Sequence, residues 1–147
     1  MKYRTRVAII GAGPAGIICS YLLAKSKIEN ILVEKDTFPR EKVCGDLLMP
    51  DSVKVLRDIG LYEKIRENSQ HNGKVEIIAP NKESIELKVD FLSCKRKILD
   101  SLLVKSAQDA GAELLEGVYI SKPVYRDVPQ IKYIDGTAQT GEDVKIF

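Results

Sequence analysis

A short glycine-rich segment near the amino terminus constrains the fold of this chain more than any other feature. The segment follows the apolar residues Val7–Ile10, leads into a second apolar run, and reads Gly11-Ala12-Gly13-Pro14-Ala15-Gly16. Gly11 permits a tight turn, Gly13 lets the backbone come close to a ligand, and Gly16 lets a helix pack closely on a sheet. The order of strand, glycine turn and helix predicts a pocket for the adenosine and pyrophosphate of a dinucleotide.

Two further residues complete this predicted site. Pro14 suits the first turn of a helix, where its missing N–H costs nothing, and the free N–H groups and dipole of that helix end favour phosphate. Glu34 follows the apolar residues 31–33, and its carboxylate can accept hydrogen bonds from a ribose diol. An acid at this place favours an unphosphorylated ribose, which indicates FAD or NAD rather than NADP. These residues alone do not separate FAD from NAD.

The length of the chain is sufficient for one ordinary domain with a hydrophobic core. The chain has 147 residues, with 23 lysines and arginines against 21 aspartates and glutamates, for a net charge of +2. This balance gives no indication of a nucleic-acid partner. The three cysteines, Cys19, Cys44 and Cys94, are widely spaced and form neither a CxxC pair nor a metal-binding spacing. We therefore expect no metal site and a reduced, cytoplasmic compartment.

The amino-terminal residues also resemble a secretory leader, because basic residues precede a mostly apolar stretch. Three glycines and a proline interrupt that stretch, however, and argue against a continuous leader helix or a membrane span. Contact with a membrane surface stays open as an alternative, since a lipid substrate would require it.

The hydrophobic pattern predicts an α/β fold of the Rossmann type over residues 1–147. We expect residues 70–92 to form a β-strand insertion, and the few parallel strands suggest a truncated or minimal member of the class. The predicted strands are 6–10, 30–34, 75–79, 84–88, 112–116, 118–125 and 130–134. The predicted helices are 14–27, one capped by Asp51 or Ser52, 62–67 and 95–110.

Several side chains have a predicted place within these elements. We expect Ser93 to cap the helix at 95–110, with Ile98 on its buried face. Val55 is expected to face inward from the helix that begins near Asp51 or Ser52. Cys19 is expected to lie in the core, on the apolar face of the helix at 14–27.

Longer motifs resemble known flavoproteins. Residues 11–16 together with Glu34-Lys35 resemble the flavoproteins that include aromatic hydroxylases. The segment Phe38-Pro39-Arg40-Glu41-Lys42-Val43-Cys44-Gly45-Asp46 is similar to the R-x-K-x-C-G loop of the geranylgeranyl reductase family, which are FAD enzymes that saturate isoprenoid double bonds. Cys94-Lys95-Arg96-Lys97-Ile98-Leu99-Asp100 and Gly111-Ala112-Glu113 are also similar to that family. The resemblance covers residues 6–117.

The resemblance implies FAD as the cofactor, with NAD as the alternative, and it adds residues to the site. Lys35 follows the ribose-binding acid, and Val118 follows the strand that lies beside the adenine. Arg40 can approach phosphate oxygens, which suit a guanidinium group, although an arginine in a loop is often only solvated. Arg96 reaches the cofactor from the start of its helix in this interpretation, and the alternative is a surface arginine.

Cys44 and Gly45 carry the assignment to this family. Gly45 can bring a backbone N–H close to the flavin ring, where a side chain would clash. Cys44 is interpreted as a wall of the isoalloxazine pocket rather than as a nucleophile, because no group that would lower its pKa is visible in the sequence.

The function that the resemblance implies is FAD-dependent reduction of an isoprenoid C=C bond, in which reduced flavin passes a hydride from N5 to the alkene. No general acid can be named from the sequence. Two alternatives stay open. One is an FAD-dependent monooxygenase or halogenase, and the other is a non-catalytic FAD-binding fragment or one half of a split flavoprotein.

The family also implies a longer chain than this one. Related enzymes continue well beyond the matched residues, with a second cofactor motif, Gly-Asp, and most of the sheet over the substrate. The activity of this chain alone therefore stays open, and association with a second chain that supplies the missing strands is one of the alternatives.

Overall fold

The computed structural model describes residues 1–125 and 131–147, and that part of the chain contains ten strands and four helices. The mixture of parallel strands, antiparallel strands and helices confirms the predicted α/β class. In chain order, the elements are β1 (Lys2–Tyr3), β2 (Val7–Ile10), α1 (Pro14–Lys25), β3 (Asn30–Val33), β4 (Leu47–Leu48), α2 (Pro50–Asp58), α3 (Tyr62–Arg66), β5 (Gln70–Ile78), β6 (Ser84–Ser93), α4 (Arg96–Asp109), β7 (Glu113–Leu115), β8 (Val118–Tyr125), β9 (Ile131–Ala138) and β10 (Asp143–Ile146).

The chain divides into two compact units. The first unit comprises Met1–Arg40 and Leu103–Phe147, and the second comprises Glu41–Leu102. Helix α4 contributes residues to both units.

A parallel sheet in the order β2-β3-β7 organises the first unit. Strand β3 lies in the middle, and its residues Ile31, Leu32 and Val33 are almost completely buried. A strand buried on both faces reads as a continuous apolar run, as this one does. Helix α1 joins β2 to β3 and buries Ile17, Tyr21 and Ala24, which recur at helical spacing.

A second sheet of the first unit has the order β1-β10-β9-β8. Strand β1 is parallel to β10, and the other pairs are antiparallel. Ile31 and Val33 of β3 form a core cluster with Val118, Val144 and Ile146. Complete burial of one such side chain stabilises the fold by about 1.5–3 kcal/mol. The two sheets therefore share one hydrophobic core.

The sequence pattern does not predict β1 and β10. Strand β1 has two residues and β10 has four, which is too short for a period-two pattern to be distinctive. The pairing of 118–125 with a later strand is confirmed, with β9 described from Ile131. Gln130, the first residue of that predicted strand, lies outside the described residues.

The second unit holds an antiparallel sheet in the order β4-β6-β5. Strands β5 and β6 extend beyond the predicted limits and form a long hairpin, because their pairing continues through a bulge between Asn72 and Lys74. Ile77 lies opposite Ile85, and both are more than half exposed. Strand β4 lies between the predicted strand at 30–34 and the predicted helix that follows it, where two residues give too little pattern to detect.

Several predicted side-chain positions are wrong. Helix α2 begins at Pro50, and Met49 before it provides no side-chain cap. Val53 and Leu56 are the buried residues of this helix, whereas Val55 is 42% exposed. Val53 and Leu56 are three residues apart and therefore share one face of the helix, whereas Val55 lies to the side of that face.

Corrections also apply to α4 and α1. Ser93 ends strand β6, and the N–H of Arg96 at the start of α4 donates instead to the Asp46 carboxylate. Ile98 is exposed, because Leu99 and Leu103 supply the buried face. Cys19 is exposed on α1 rather than buried.

Candidate cofactor-binding site

The glycine segment forms a tight loop between β2 and α1. Gly11 has a φ of +98°, which is a left-handed conformation that favours glycine, and its N–H donates to Val33 O at 2.8 Å. A Cβ added at Gly16 would lie 2.1 Å from Gly11 O, whereas one added at Gly13 would meet no atom within 4 Å. Gly16 is therefore required for the loop itself, and Gly13 leaves open space beside it.

The amino-terminal end of α1 is suited to an anion. Gly13 precedes the helix in an extended conformation and provides no side-chain cap, while Pro14 occupies the first turn. The first bond of the helix runs from the N–H of Ile17 to Gly13 O at 2.9 Å. The N–H groups and the positive dipole of such a helix end favour phosphate oxygens.

The Glu34 carboxylate holds the loop from the end of β3. Its Oε2 accepts the N–H of Ala12 at 2.9 Å, and its Oε1 accepts the N–H of Asp36 at 3.2 Å. The Glu34 side chain is only 8% exposed. The same carboxylate that the sequence assigns to the ribose therefore also orders the backbone of the glycine loop.

Arg40 lies beside these two groups. Its Nη2 donates to Ala12 O at 3.0 Å and lies 3.5 Å from Glu34 Oε2. The guanidinium also stacks over the Phe38 ring, 5.1 Å from its centroid. The structure thus brings the glycine segment, Glu34 and Arg40 together, and sequence reasoning missed that Arg40 binds the loop. The predicted contact of Arg40 with phosphate stays a prediction.

Lys35 and Val118 occupy different environments in the first unit. The Lys35 ammonium is exposed, 3.2 Å from Asp36 Oδ1. The N–H of Val118 donates to Glu34 O at 2.9 Å, and the Val118 side chain lies in the core. Val118 therefore fixes the backbone of Glu34, and a cofactor contact by either residue stays a prediction.

A second group of predicted residues comes together in the second unit. The Arg96 guanidinium makes two hydrogen bonds of 2.9 Å with the carboxylate of Asp100, which is completely buried. Asp46 accepts the N–H of Arg96 at 3.1 Å through its side chain and the N–H of Cys94 at 2.8 Å through its carbonyl. These bonds attach the loop containing Cys44 to the start of α4.

The Cys44 thiol has the partners that were not visible in the sequence. A hydrogen bond from the Asp46 backbone and the Arg96 guanidinium lower the pKa of Cys44, and both act on an exposed side chain. Bonding to Asp100 raises the pKa of Arg96, which keeps the guanidinium charged. Gly45 is open, since an added Cβ would meet no atom within 4 Å.

Across 1–125 and 131–147, no three or more His, Cys, Asp and Glu side chains are grouped so that they could hold a metal ion. Within the same ranges, no helix combines the length and apolar character needed to span a membrane.

Comparison with known proteins identifies the family. Residues 4–122 match the FAD binding domain family. The chain belongs to that family. FAD is the cofactor of this domain. The open space at Gly13, the uncapped end of α1 and the adjacent Glu34 carboxylate fit the diphosphate and ribose of FAD.

Individual relatives of this FAD-binding domain have different activities. A menaquinone reductase of Mycobacterium tuberculosis is 30% identical over 143 residues, which cover 89% of this chain and 34% of the relative. The fold is similar to a myxobacterial chondrochloren halogenase, with a TM-score of 0.88, 15% identity and coverage of 98% of this chain and 35% of that one. It is also similar to a geranylgeranyl bacteriochlorophyll reductase-like protein of Thermoplasma acidophilum, with a TM-score of 0.86, 17% identity and coverage of 99% and 38%. The chain spans about a third or less of the length of the first curated relatives that it matches.

Proposed function

We propose that this FAD-binding domain serves a flavin-dependent reductase of isoprenoid double bonds. The observation that carries the proposal is the loop from Arg40 to Gly45, which resembles the loop of geranylgeranyl reductases. The similarity to a menaquinone reductase is consistent with a reductase. The fold shared with a geranylgeranyl reductase-like protein is consistent with the same interpretation.

The residues of the first unit have distinct roles in this proposal. The open backbone at Gly11 and Gly13 and the amino-terminal end of α1 bind the pyrophosphate. Glu34 orders the loop through its two N–H contacts and uses remaining lone pairs for the ribose hydroxyls. Arg40 positions the loop through Ala12 O. FAD, when bound, supplies the hydride chemistry.

Replacing Gly13 with valine tests the assignment of the pyrophosphate site. The added side chain enters open space, so we expect the variant to fold normally and to bind FAD about tenfold more weakly, or not at all. Titration of the purified protein with FAD, followed by flavin fluorescence, measures the change. Gly73→Val is the matched control, because Gly73 also faces open space and belongs to no proposed site. Equal FAD affinity in the Gly13→Val and wild-type proteins would contradict the assignment.

Reductase activity is tested by detection of a saturated prenyl product. The FAD-loaded chain, reduced under anaerobic conditions, is mixed with geranylgeranyl diphosphate, and the prenyl product is analysed by mass spectrometry. Saturation of a double bond adds two mass units, which is the expected result. An unchanged prenyl chain, in a protein shown to bind FAD, counts against reductase activity of this chain.

Halogenation or hydroxylation is the second candidate function, and the fold shared with a chondrochloren halogenase favours it. The same reduced protein is mixed with oxygen, bromide and a phenol. Brominated or hydroxylated phenol would support this alternative over the reductase.

A third candidate is a domain that binds FAD without turnover. The exposed pair Ile77 and Ile85 on the hairpin leaves apolar surface that further polypeptide can cover. FAD binding with neither alkene reduction nor halogenation would favour this interpretation. The same result is expected if a second chain is needed to complete the enzyme.

A further inference from the structure

Gln139 connects separate segments of the first unit near the carboxyl ends of the parallel strands. It is the first residue after β9, and its N–H donates to Gly117 O at 2.7 Å, in the turn between β7 and β8. Its side-chain Nε2 donates to Lys35 O at 3.0 Å, although the two residues are 104 positions apart in the sequence. One glutamine therefore joins the turn after β7 to the backbone that directly follows Glu34.

Gly117 provides the space for this side chain. A Cβ added at Gly117 would lie 3.2 Å from Gln139 Cδ and 3.3 Å from Gln139 Oε1, which is closer than ordinary van der Waals contact. The amide group of the glutamine therefore lies directly across the glycine. This close contact and the hydrogen bond to Lys35 O give the side chain a defined direction.

The segment at 35–38 is held at further points along its length. The N–H of Asp36 donates to Glu34 Oε1 at 3.2 Å, and the N–H of Phe38 donates to Glu116 Oε1 at 2.7 Å. Gln139 fixes the remaining part of this segment through the Lys35 carbonyl. Together these bonds hold residues 35–38 against the end of β7.

The order of chemical groups in FAD indicates which part of the cofactor would meet this corner. Adenine, ribose and diphosphate follow one another in the adenosine half of FAD. The diphosphate is assigned to the end of α1, after β2, and the ribose to Glu34, after β3. Strand β3 lies between β2 and β7 in the parallel sheet. An adenine attached to that ribose would therefore extend toward the end of β7 and residues 35–38.

We propose that Gln139 is a positioning residue for the adenosine half of FAD. Its amide group acts through the Lys35 carbonyl, which fixes the backbone beside Glu34 and so the direction of the ribose-binding carboxylate. The proposal rests on the binding of FAD and is independent of the reaction that the flavin performs. The Gly13→Val titration tests the diphosphate assignment separately, so the two assignments can fail independently.

A Gln139→Met protein tests the connection to Lys35 in the absence of cofactor. Methionine has a similar length and no N–H donor, so the side chain can still cover Gly117 without bonding Lys35 O. We expect peptides containing residues 34–38 to exchange their amide hydrogens several-fold faster than in the wild-type protein, because the segment opens more often. Mass spectrometry of the FAD-free full chain measures the rates. Wild-type exchange rates in this segment would overturn the proposal.

Titration of the same variant with FAD tests the consequence for the cofactor. We expect FAD to bind about fivefold more weakly, since one hydrogen bond that preorganises the site is lost. Gln108→Met is the matched control, because Gln108 is an exposed glutamine on α4 and belongs to no proposed site. We expect that control to keep wild-type exchange and wild-type FAD affinity. Wild-type FAD affinity in Gln139→Met would refute the positioning role, even with faster exchange.

A Gln139→Arg protein separates the hydrogen bond from the shape of the side chain. The Nε–H of arginine lies the same number of bonds from the backbone as the amide nitrogen of glutamine, so it can donate to Lys35 O. We expect this variant to recover most of the wild-type amide protection at 34–38 in the FAD-free protein, where the added charge has no phosphate to attract. Exchange as fast as in Gln139→Met would contradict a role for the donor.

Discussion

A Gly16→Ala protein is expected to lose both thermal stability and FAD binding. The new Cβ would lie 2.1 Å from Gly11 O, and a backbone oxygen cannot rotate away as a side chain can. Overpacking of this kind costs about 1–3 kcal/mol, which exceeds the roughly 1 kcal/mol gained from the better helix propensity of alanine. We therefore expect the melting temperature to fall by several degrees and FAD affinity to fall by about a hundredfold, because Gly11 must move.

The matched control for this substitution is Gly13→Ala in the same loop. A Cβ at Gly13 meets no protein atom, so the melting temperature of that variant should stay near the wild-type value. Differential scanning calorimetry and FAD titration measure both properties on each protein. Wild-type stability and wild-type FAD affinity in Gly16→Ala would show that the loop can move away at no cost, and that result would refute the structural role of Gly16.

A Glu34→Gln protein is expected to bind FAD at least about tenfold more weakly and to unfold at lower temperature. Two backbone N–H groups, of Ala12 and Asp36, donate to the two carboxylate oxygens of Glu34. Glutamine has one oxygen, so its NH₂ group must face one of these donors. An unsatisfied buried donor costs about 1–3 kcal/mol, and the change also removes the negative charge beside Arg40.

Glu116→Gln is the control for Glu34→Gln. Its carboxylate accepts one N–H, from Phe38 at 2.7 Å, and the glutamine oxygen can replace that contact. We expect this variant to keep its melting temperature and its FAD affinity. Circular dichroism melts and FAD titration of the two variants provide the comparison. Indistinguishable results for Glu34→Gln and Glu116→Gln would remove the argument that both oxygens of Glu34 are needed.

The cofactor loop is the part of the molecule that sequence reasoning predicts best. Three of its residues are determined by local geometry. Gly11 adopts a left-handed conformation, Gly16 allows a close contact of the helix, and Glu34 places a carboxylate at the end of a buried strand. Local requirements leave a signature at fixed spacing, and spacing is visible without coordinates. The same reasoning gives helix α1 and strand β3 within two residues of their observed ends.

Contacts between distant segments explain most of what sequence reasoning missed. The Asp46 carboxylate, fifty residues before Arg96 in the sequence, caps α4. The prediction that the nearby Ser93 caps this helix is therefore wrong. The environment of Cys44 depends on the same long-range contact with the start of α4. Strands β1 and β10 are short and are defined by pairing, β1 with β10 and β10 also with β9, rather than by a pattern of their own. The residues adjacent to a segment do not indicate which distant segment it will contact.

Backbone hydrogen bonds hold the residues around Glu34 on both sides in the absence of a cofactor. The N–H of Glu34 donates to Leu115 O at 2.9 Å, its carbonyl accepts the N–H of Val118 at 2.9 Å, and the N–H of Gly11 bonds the preceding residue, Val33. A preorganised site of this kind loses little conformational entropy on binding, so most of the interaction energy is retained as affinity. It also means that the FAD-free protein should protect these amide hydrogens from exchange with solvent as firmly as it protects the centre of its sheet.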